Sequence, residues 1–213
     1  QVRNLLGQEG THVGSNAWVV DGSKTRTGFP MLAGDPHLGL AVPGKWYEVH
    51  LHLNSQNLSG ATTPGSPAVL LGQNDFMAWT LTNVMADDTD FFVEQVKPDN
   101  RGLYVTDSTA DTVRYKKFRI TRELIKVKGA KNSILKKRHT QHGPVISDIF
   151  PGDTQRSQNQ VIAMEWTGHE VSHETSALLS INWAQSFSQF QKSLRDFEVP
   201  GQNFVYADRT GNI

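Results

Sequence analysis

The chain of 213 residues contains no cysteine, and this absence excludes several kinds of structure and site. Disulfide cross-links, thiolate metal centres and cysteine nucleophiles all require a thiol. The chain also has no apolar run near the roughly 18 residues of a membrane-spanning helix, and its N-terminal residues lack a basic stretch followed by an apolar core. We therefore expect no membrane partner, and the sequence by itself leaves the cellular compartment open.

An excess of charge of either sign is absent too, because 21 basic residues balance 21 acidic ones. Eleven of the basic residues lie between Arg114 and Arg138, in a β-branched region with a turn at 129–132. Cations along strands usually mark a solvated outer face, and no aromatic residue lies between Arg119 and Arg138 as a platform for base stacking. We expect two long strands that form an exposed ribbon, and no nucleic-acid partner.

What the chain does contain is a succession of short strand patterns separated by turn residues. Residues 46–53 alternate apolar and polar side chains, which is typical of a strand with two different faces. We expect turns at 21–22 and 34–37 and a loop at 60–67, since these stretches are rich in Gly, Pro, Asp and Ser. The remaining strands are predicted at 17–20, 30–33, 68–71, 77–82, 90–95, 161–166 and 203–208.

Near the C-terminus the apolar period changes from 2 to 3.6, which predicts a helix. Ser186 and Gln189 fit a capping box at its start, and Pro200-Gly201 would end it. Its apolar stripe would consist of Trp183, Phe187, Phe190, Leu194 and Phe197. Together these patterns predict an α+β fold with a mainly antiparallel sheet and at least one packed helix.

Gly14-Ser15 directly precedes the first predicted strand and is the strongest candidate for chemistry. An isolated Gly-Ser pair is usually a small polar pair before a strand, and that reading stays open on these two residues alone. The neighbouring motifs decide between the readings. They are Ser15-Asn16-x-Trp18-Val19-Val20, Asp35-Pro36-His37-Leu38, Pro43-x-x-Trp46-Tyr47-Glu48-Val49-His50-Leu51, Pro64-Gly65-x-Pro67, Gly72-x-Asn74, Ala78-Trp79-x-x-Thr82-Asn83 and Gln202-Asn203-x-x-Tyr206-Ala207-Asp208-x-x-Gly211-Asn212-Ile213.

In this order the seven motifs resemble the penicillin acylase family of N-terminal nucleophile hydrolases. The resemblance implies an αββα sandwich and a precursor that cleaves itself before Ser15. A serine hydroxyl is a poor nucleophile without a base, whereas a terminal α-amine has a pKa of about 7.7–8.0 and can act as that base. The amine is unavailable while it is part of the Gly14–Ser15 peptide bond, and Gly14 permits the strained backbone that attack on its carbonyl demands.

The resemblance also implies roles for three further residues. His37 would orient the amine of Ser15. The backbone N–H of Asn83 and the side-chain amide of Asn203 would form the two halves of an oxyanion hole. For His37 and Asn203 the alternative interpretation, an ordinary polar turn residue, remains open at this point.

Binding sites follow from the same alignment of motifs. Leu38 and Leu71 correspond to aromatic residues of the acyl pocket, so aliphatic side chains predict a wider slot for an acyl group other than phenylacetyl. Asp87, Thr89 and Asp90 correspond to a structural calcium site. No cofactor is expected for catalysis itself.

Residues 1–14 are expected to be a spacer segment and residues 15–213 part of the β-subunit domain. The start at Gln1 and the stop at Ile213 suggest a piece of a longer polypeptide, which would be uncleaved and inactive. The implied partners are a small-molecule amide substrate, a β-lactam or another N-acyl compound, and the missing α subunit of the same precursor. The family further suggests a periplasmic or extracellular location.

Two alternatives compete with the acylase hypothesis. His50 and His52 share one face of a predicted strand and could ligate zinc in a metal-dependent hydrolase, with His139 and His142 as further ligands. The other alternative is a non-catalytic binding module that keeps the fold and has lost the chemistry.

Overall fold

The computed structural model describes residues 14–39, 41–149 and 159–213. They form two compact units, one from the described residues up to Ala86 together with Val171–Ile213, the other from Asp87–Glu170. The predicted spacer lies outside the described residues except for Gly14. The regular elements are β1 (Gly14–Val20), β2 (Met31–His37), β3 (Tyr47–Leu53), β4 (Gln56–Thr62), β5 (Leu71–Asn74), β6 (Met77–Asn83), β7 (Thr89–Gln95), β8 (Leu103–Ser108), β9 (Val113–Lys117), β10 (Arg119–Ile125), β11 (Ser133–Thr140), β12 (Gly143–Pro144), β13 (Gln160–Trp166), α1 (Glu174–Asn182), α2 (Phe187–Ser193) and β14 (Gln202–Asp208).

The first unit contains a hairpin and a five-stranded antiparallel sheet. The hairpin pairs β1 with β2, and the sheet has the strand order β14-β6-β5-β4-β3. The hairpin lies against β6 and β14 on one face of the sheet, and Gly34 is packed tightly against Thr80. We call this face of the sheet the inner face.

The opposite face of the sheet packs on the two helices. Trp79 is completely buried there, beside Ile181 of α1 and Phe190 of α2. Asn182 joins the layers by hydrogen bonds, because its side chain accepts from the Val69 N–H at 2.8 Å and donates to the Val69 carbonyl at 2.7 Å. Because alternate residues of a strand point to opposite faces, Trp79 on the helix side fixes Thr80 on the inner face.

The second unit is built from antiparallel pairs. The pairs join β7 to β13 and β8 to β9, and a three-stranded sheet has the order β10-β11-β12. Its core consists of Val96, Tyr104, Phe118, Val145 and Val161. The ribbon of β10 and β11 turns at 129–132 and most of its residues are exposed, as the charge pattern predicted.

The prediction of a turn at 34–37 is wrong, because these residues belong to β2. They pair with the start of β1, from Gly14 opposite His37 to Ala17 opposite Gly34. Pairing with β1 stabilises an extended conformation that the turn-forming residues would not favour by themselves. The predicted loop at 60–67 is likewise shorter, since β4 continues to Thr62.

The C-terminal region contains two short helices where the sequence predicted one. α1 covers residues 174–182 and α2 begins after Ser186, whose side chain accepts from the Gln189 N–H at 3.4 Å. The predicted cap is thus confirmed, but α2 ends at Ser193 and continues only as a 3-10 turn to Asp196. Trp183 ends α1 and is 37% exposed, so it does not share the buried stripe.

Candidate active site

Ser15 lies on the inner side of the hairpin. From Gly14 to Val19 exposed residues alternate with partly buried ones, which are Ser15, Ala17 and Val19, and Val20 is partly buried too. The Ser15 hydroxyl donates to the Gly14 carbonyl at 2.7 Å. The side chain that would act as nucleophile therefore faces the sheet and touches the carbonyl group of the peptide bond that the prediction says is cut.

His37 lies directly opposite Gly14 in the hairpin, on its outer side. A Cβ placed on Gly14 would be 3.9 Å from His37 Nδ1, so the imidazole ring lies beside the Gly14–Ser15 bond. The other ring nitrogen, Nε2, is 2.6 Å from a carboxylate oxygen of Asp35. A hydrogen bond from Nε2–H to Asp35 would leave Nδ1 as an acceptor next to the predicted scissile bond.

The packing of the hairpin on the sheet determines which end of β6 lies below Ser15. Gly34 is pressed against Thr80, since an added Cβ would lie 1.9 Å from Thr80 Oγ1. Leu32 lines a pocket together with Ala78. From Leu32 to Gly34, β2 therefore follows β6 from Ala78 to Thr80, and both strands run towards the same end of the unit.

The same spacing brings Ser15 to the level of Asn203. Ser15 pairs with Pro36 of β2. Because Gly34 lies against Thr80, Pro36, two residues further along β2, is level with Thr82, two residues further along β6. Thr82 pairs with Asn203 on β14, and the Asn203 amide donates to Thr82 Oγ1 at 3.1 Å. Thr82 shares the inner face with Thr80 because strand faces alternate. By this spacing Ser15 of β1 and Asn203 of β14 lie at the same end of the hairpin and the sheet.

The backbone N–H of Asn83 lies at the same end of the sheet as Asn203. Val84 N–H bonds to the Gly201 carbonyl at 3.1 Å, and hydrogen-bonded pairs alternate with non-bonded pairs in an antiparallel ladder. The Asn83 N–H therefore points away from β14. On that side the neighbouring strand is β5, whose pairing with β6 does not extend as far as Asn83. The Asn83 side chain is engaged elsewhere, since its Oδ1 accepts from the Gln202 amide at 2.7 Å. This geometry suits a backbone donor.

Leu71 lies on the inner face beside two cavities that share lining residues. One, of about 280 Å³, is lined by Leu71, Ser59 and Thr80 and also by Gly34 of the hairpin. The other, of about 520 Å³, is lined by Leu71, Ser59 and the edge residue His50. Leu38 directly follows β2 and is partly buried.

The predicted calcium site provides few ligands. Asp87 and Asp90 are exposed, and Thr89 Oγ1 donates to the Asp88 carboxylate at 2.9 Å. Within the described ranges no group of three acidic or histidine side chains is placed to hold a metal, and calcium takes 6–8 oxygen ligands. The residues present do not complete such a site, and calcium binding stays a prediction.

The histidines of the zinc hypothesis are engaged in hydrogen bonds. His50 and His52 both approach Asn57 Oδ1, at 3.3 and 3.0 Å. No third ligand joins them among the residues that the structure describes. His139 and His142 belong to the other unit, where His139 contacts Thr121, and His142 pairs with the buried Glu94 at 2.8 Å.

Asp208 is a structural residue that the sequence reasoning used only as part of a motif. It is 9% exposed and accepts hydrogen bonds from Tyr206, Thr210 and Asn212. Burial alone would raise the pKa of Asp208, but these donors outweigh it and hold the pKa well below its ordinary value. Burial and the bond to this carboxylate raise the pKa of Tyr206. The cluster fixes the turn after β14 and with it the strand that carries Asn203.

The described part of the chain contains no helix that is long and apolar enough to cross a membrane.

Comparisons with known proteins agree with this architecture. The family model described as Penicillin amidase matches residues 1–213. An acyl-homoserine lactone acylase QuiP of Pseudomonas fluorescens is 26% identical over 96% of this chain and 24% of its own length. The Penicillin acylase 2 proenzyme of a Pseudomonas species (strain SE83) is 28% identical over 94% of this chain and 24% of its own. The chain thus spans about a quarter of the length of these curated relatives.

A solved structure, the thermostable penicillin G acylase from Alcaligenes faecalis, superposes with a TM-score of 0.72. It is 24% identical and covers 92% of this chain and 33% of its own. The chain belongs to the penicillin amidase family, and it has the α+β fold of N-terminal nucleophile hydrolases that the motifs predicted. The relatives reported above are named as acylases, and one of them as a proenzyme.

Proposed function

We propose that this chain carries the nucleophile and the oxyanion hole of an acylase that cleaves the acyl group from a β-lactam or another N-acyl compound. The relatives include proteins named for penicillin and for acyl-homoserine lactones, so both kinds of amide are candidate substrates. One observation supports the proposal above all. The Ser15 hydroxyl donates to the Gly14 carbonyl at 2.7 Å, and this is the group that it would attack.

Maturation would begin at the peptide bond between Gly14 and Ser15. The Ser15 hydroxyl attacks the Gly14 carbonyl carbon, and the C–N bond breaks as the nitrogen takes a proton. The resulting ester is hydrolysed by water, which leaves a Gly14 carboxylate and a free α-amine on Ser15. Only after this step does Ser15 have a base of its own.

Catalysis would then use the same hydroxyl on the substrate. The α-amine accepts the hydroxyl proton while Oγ attacks the amide carbonyl, and the charge that develops on the carbonyl oxygen is stabilised by the Asn203 amide and the Asn83 N–H. The proton passes to the leaving amine, and water hydrolyses the acyl ester. His37 would keep the α-amine in position, with Asp35 holding the ring.

Partners belong to the same proposal. The relatives are about four times as long as this chain, so we propose that the remainder of the precursor, including an α subunit, completes the substrate site. A structural calcium ion at Asp87, Thr89 and Asp90 would need its further ligands from that remainder.

The proposed function is tested on the full-length protein with Ser15→Ala. We expect the variant to fold and to lose hydrolysis of penicillin G and of acyl-homoserine lactones. Ser133→Ala is the matched control, because Ser133 is an exposed serine at the start of β11. Full activity of Ser15→Ala on these amides would refute the proposal.

A further inference from the structure

The ribbon of β10 and β11 carries positive charge around its turn with no acidic residue to balance it. From Leu124 to Arg138 the sequence contains six lysine and arginine residues and neither Asp nor Glu. Lys126, Lys128 and Lys131 lie around the turn and are all exposed, and none of them forms an ion pair with another described residue. The positive charge of the turn therefore faces solvent without a counter-ion among these residues.

The two faces of the ribbon differ, because alternate side chains of a strand point to opposite faces. One face resembles an ordinary surface of a folded unit. There Lys137 forms an ion pair with Glu123, and Leu135 is partly buried. The cation on this face has an acidic partner, and part of its apolar surface is covered.

The other face, which we call the basic face, has neither feature. Arg122 lies directly opposite Lys136, and Leu124 lies directly opposite Ile134. Like charges opposite each other destabilise a pair of strands. Leu124 and Ile134 are each 59% exposed, so this apolar pair is not buried against the unit. The stability of the fold explains neither pair.

Protection of a strand edge accounts for only half of this pattern. Lysines on exposed strands prevent pairing with another chain, but exposed Leu and Ile side chains promote association. The surface of a membrane with anionic lipids uses both kinds of residue. Its phosphates attract lysines, and its headgroup region takes up apolar side chains next to them. Lysine stems also lie along apolar surface while their charged ends reach out to the phosphates.

We propose that the turn and the basic face bind the surface of a membrane that contains anionic lipids. Leu124 and Ile134 enter the headgroup region, and the three lysines of the turn contact the lipid phosphates. No membrane partner was expected because the chain lacks an apolar run of spanning length, but a contact of this kind lies on the surface and needs no such run. The inference is independent of the proposed function, since the ribbon carries no residue of the candidate active site.

The test is co-sedimentation of the full-length protein with lipid vesicles. Vesicles of pure phosphatidylcholine are compared with vesicles of equal parts phosphatidylcholine and phosphatidylglycerol. We expect binding to the anionic vesicles only, and weaker binding when the salt is raised from about 0.1 M to about 1 M, because the Debye length falls from about 10 to about 3 Å. A wild type that stays in the supernatant with both kinds of vesicle, as it would if the rest of a longer precursor covered this face, would overturn the inference. Equal binding to both kinds would overturn it too.

Reversing the charge of the turn tests the role of its lysines. The variant with Lys126→Glu, Lys128→Glu and Lys131→Glu should bind anionic vesicles about 100-fold more weakly or less, because each lysine near an anionic surface contributes roughly a factor of five. The matched control combines three charge reversals at exposed positions of the first unit, Lys24→Glu, Arg26→Glu and Lys192→Glu. It changes the net charge equally and should bind as the wild type does. Equal losses in the two variants would show that binding depends on net charge and not on the ribbon.

The apolar pair separates a membrane contact from a site for any polyanion. We expect Leu124→Ser with Ile134→Ser to weaken binding to anionic vesicles about tenfold. Val42→Ser with Val171→Ser is the control, because both valines are fully or almost fully exposed and belong to the first unit. All of the substituted side chains are exposed, and thermal melting checks that each variant folds. Wild-type affinity of the Leu124 and Ile134 variant would show that the ribbon binds anions without entering a membrane, and it would overturn the inference.

Discussion

Two asparagines at the end of the β6–β14 pair serve the proposed oxyanion hole in different ways. Asn203 contributes its side-chain amide and Asn83 its backbone N–H. Removing one oxyanion donor typically costs about 10²–10³ in kcat. We therefore expect Asn203→Ala to lower kcat by about that factor with little change in KM, as measured by steady-state kinetics on the full-length protein.

Asn83→Ala is the matched variant, because it keeps the backbone N–H and removes only the contact with Gln202. We expect its kcat to stay close to that of the wild type. Equal losses in the two variants would show that the distinction between side-chain and backbone donors is wrong.

Asp208 is the residue at which charge and stability are most closely linked. Asp208→Asn removes a buried carboxylate and places an NH2 group among hydrogen-bond donors. We therefore expect the free energy of unfolding at pH 7 to fall by about 2–4 kcal/mol. Because the folded-state pKa of Asp208 is lowered, its contribution is fully present above the ordinary Asp pKa of about 3.9 and is lost as the pH falls further.

The corresponding measurement is urea unfolding as a function of pH. The difference in the free energy of unfolding between the wild type and Asp208→Asn should be constant from about pH 7 to 5 and shrink below about pH 4. A difference that stays constant down to pH 2.5 would mean that Asp208 ionisation does not stabilise the fold.

Individual residues could be predicted from the sequence only where a motif named them. The motif around Ser15 predicted a nucleophile there, which stays a prediction, and the structure places Ser15 among the partly buried residues of β1. Neither the network of Asp208 nor the contact of Gly34 with Thr80 could be predicted, since both depend on which residues the packing brings together.

At the scale of elements, the hairpin is positioned by the contact of Gly34 with Thr80. Any Cβ at residue 34 would collide with Oγ1 at 1.9 Å and push β2 away from the sheet. We expect Gly34→Ala to lower stability by about 1–3 kcal/mol and to lower activity as well, because Ser15 moves with the hairpin. Thermal melting and amidase assays would measure both.

Gly44→Ala controls for the loss of glycine flexibility. The nearest atom to its added Cβ is 3.6 Å away, an ordinary contact, and its φ is not in the left-handed region. A Gly34→Ala variant with the melting temperature and activity of Gly44→Ala would contradict the close contact.

The start of α2 depends on a single cap. Ser186 accepts from the Gln189 N–H, and the Gln189 side chain accepts in turn from the Gln185 N–H at 2.8 Å. We expect Ser186→Ala to lower stability by about 1 kcal/mol in urea unfolding, and Ser186→Asp to restore it. Equal stability of all three proteins would show that the cap is not needed.

Elements were predictable where local pattern and tertiary environment agree. β6 and β14 are buried on the helix side and show the expected strand pattern, whereas Gly34-Asp35-Pro36-His37 has turn-forming residues and becomes strand because β1 pairs with it. α1 was missed because only Ala177, Ile181 and Asn182 of its nine residues are buried, which leaves a weak apolar period.

At the scale of the whole molecule, the residues of the candidate site come from two layers of the first unit, the hairpin and the sheet. The hairpin carries Ser15 and His37, and the sheet carries Asn83 and Asn203. The curated relatives are about four times as long as this chain.

The central claim is that Ser15 becomes a free N-terminus, and N-terminal sequencing with intact-mass spectrometry of the purified full-length protein tests it most directly. We predict a chain that begins Ser15-Asn16-Ala17 in the wild type and an uncut precursor in Ser15→Ala. A wild-type protein that hydrolyses amides in a Ser15-dependent way while the Gly14–Ser15 bond stays intact would contradict it.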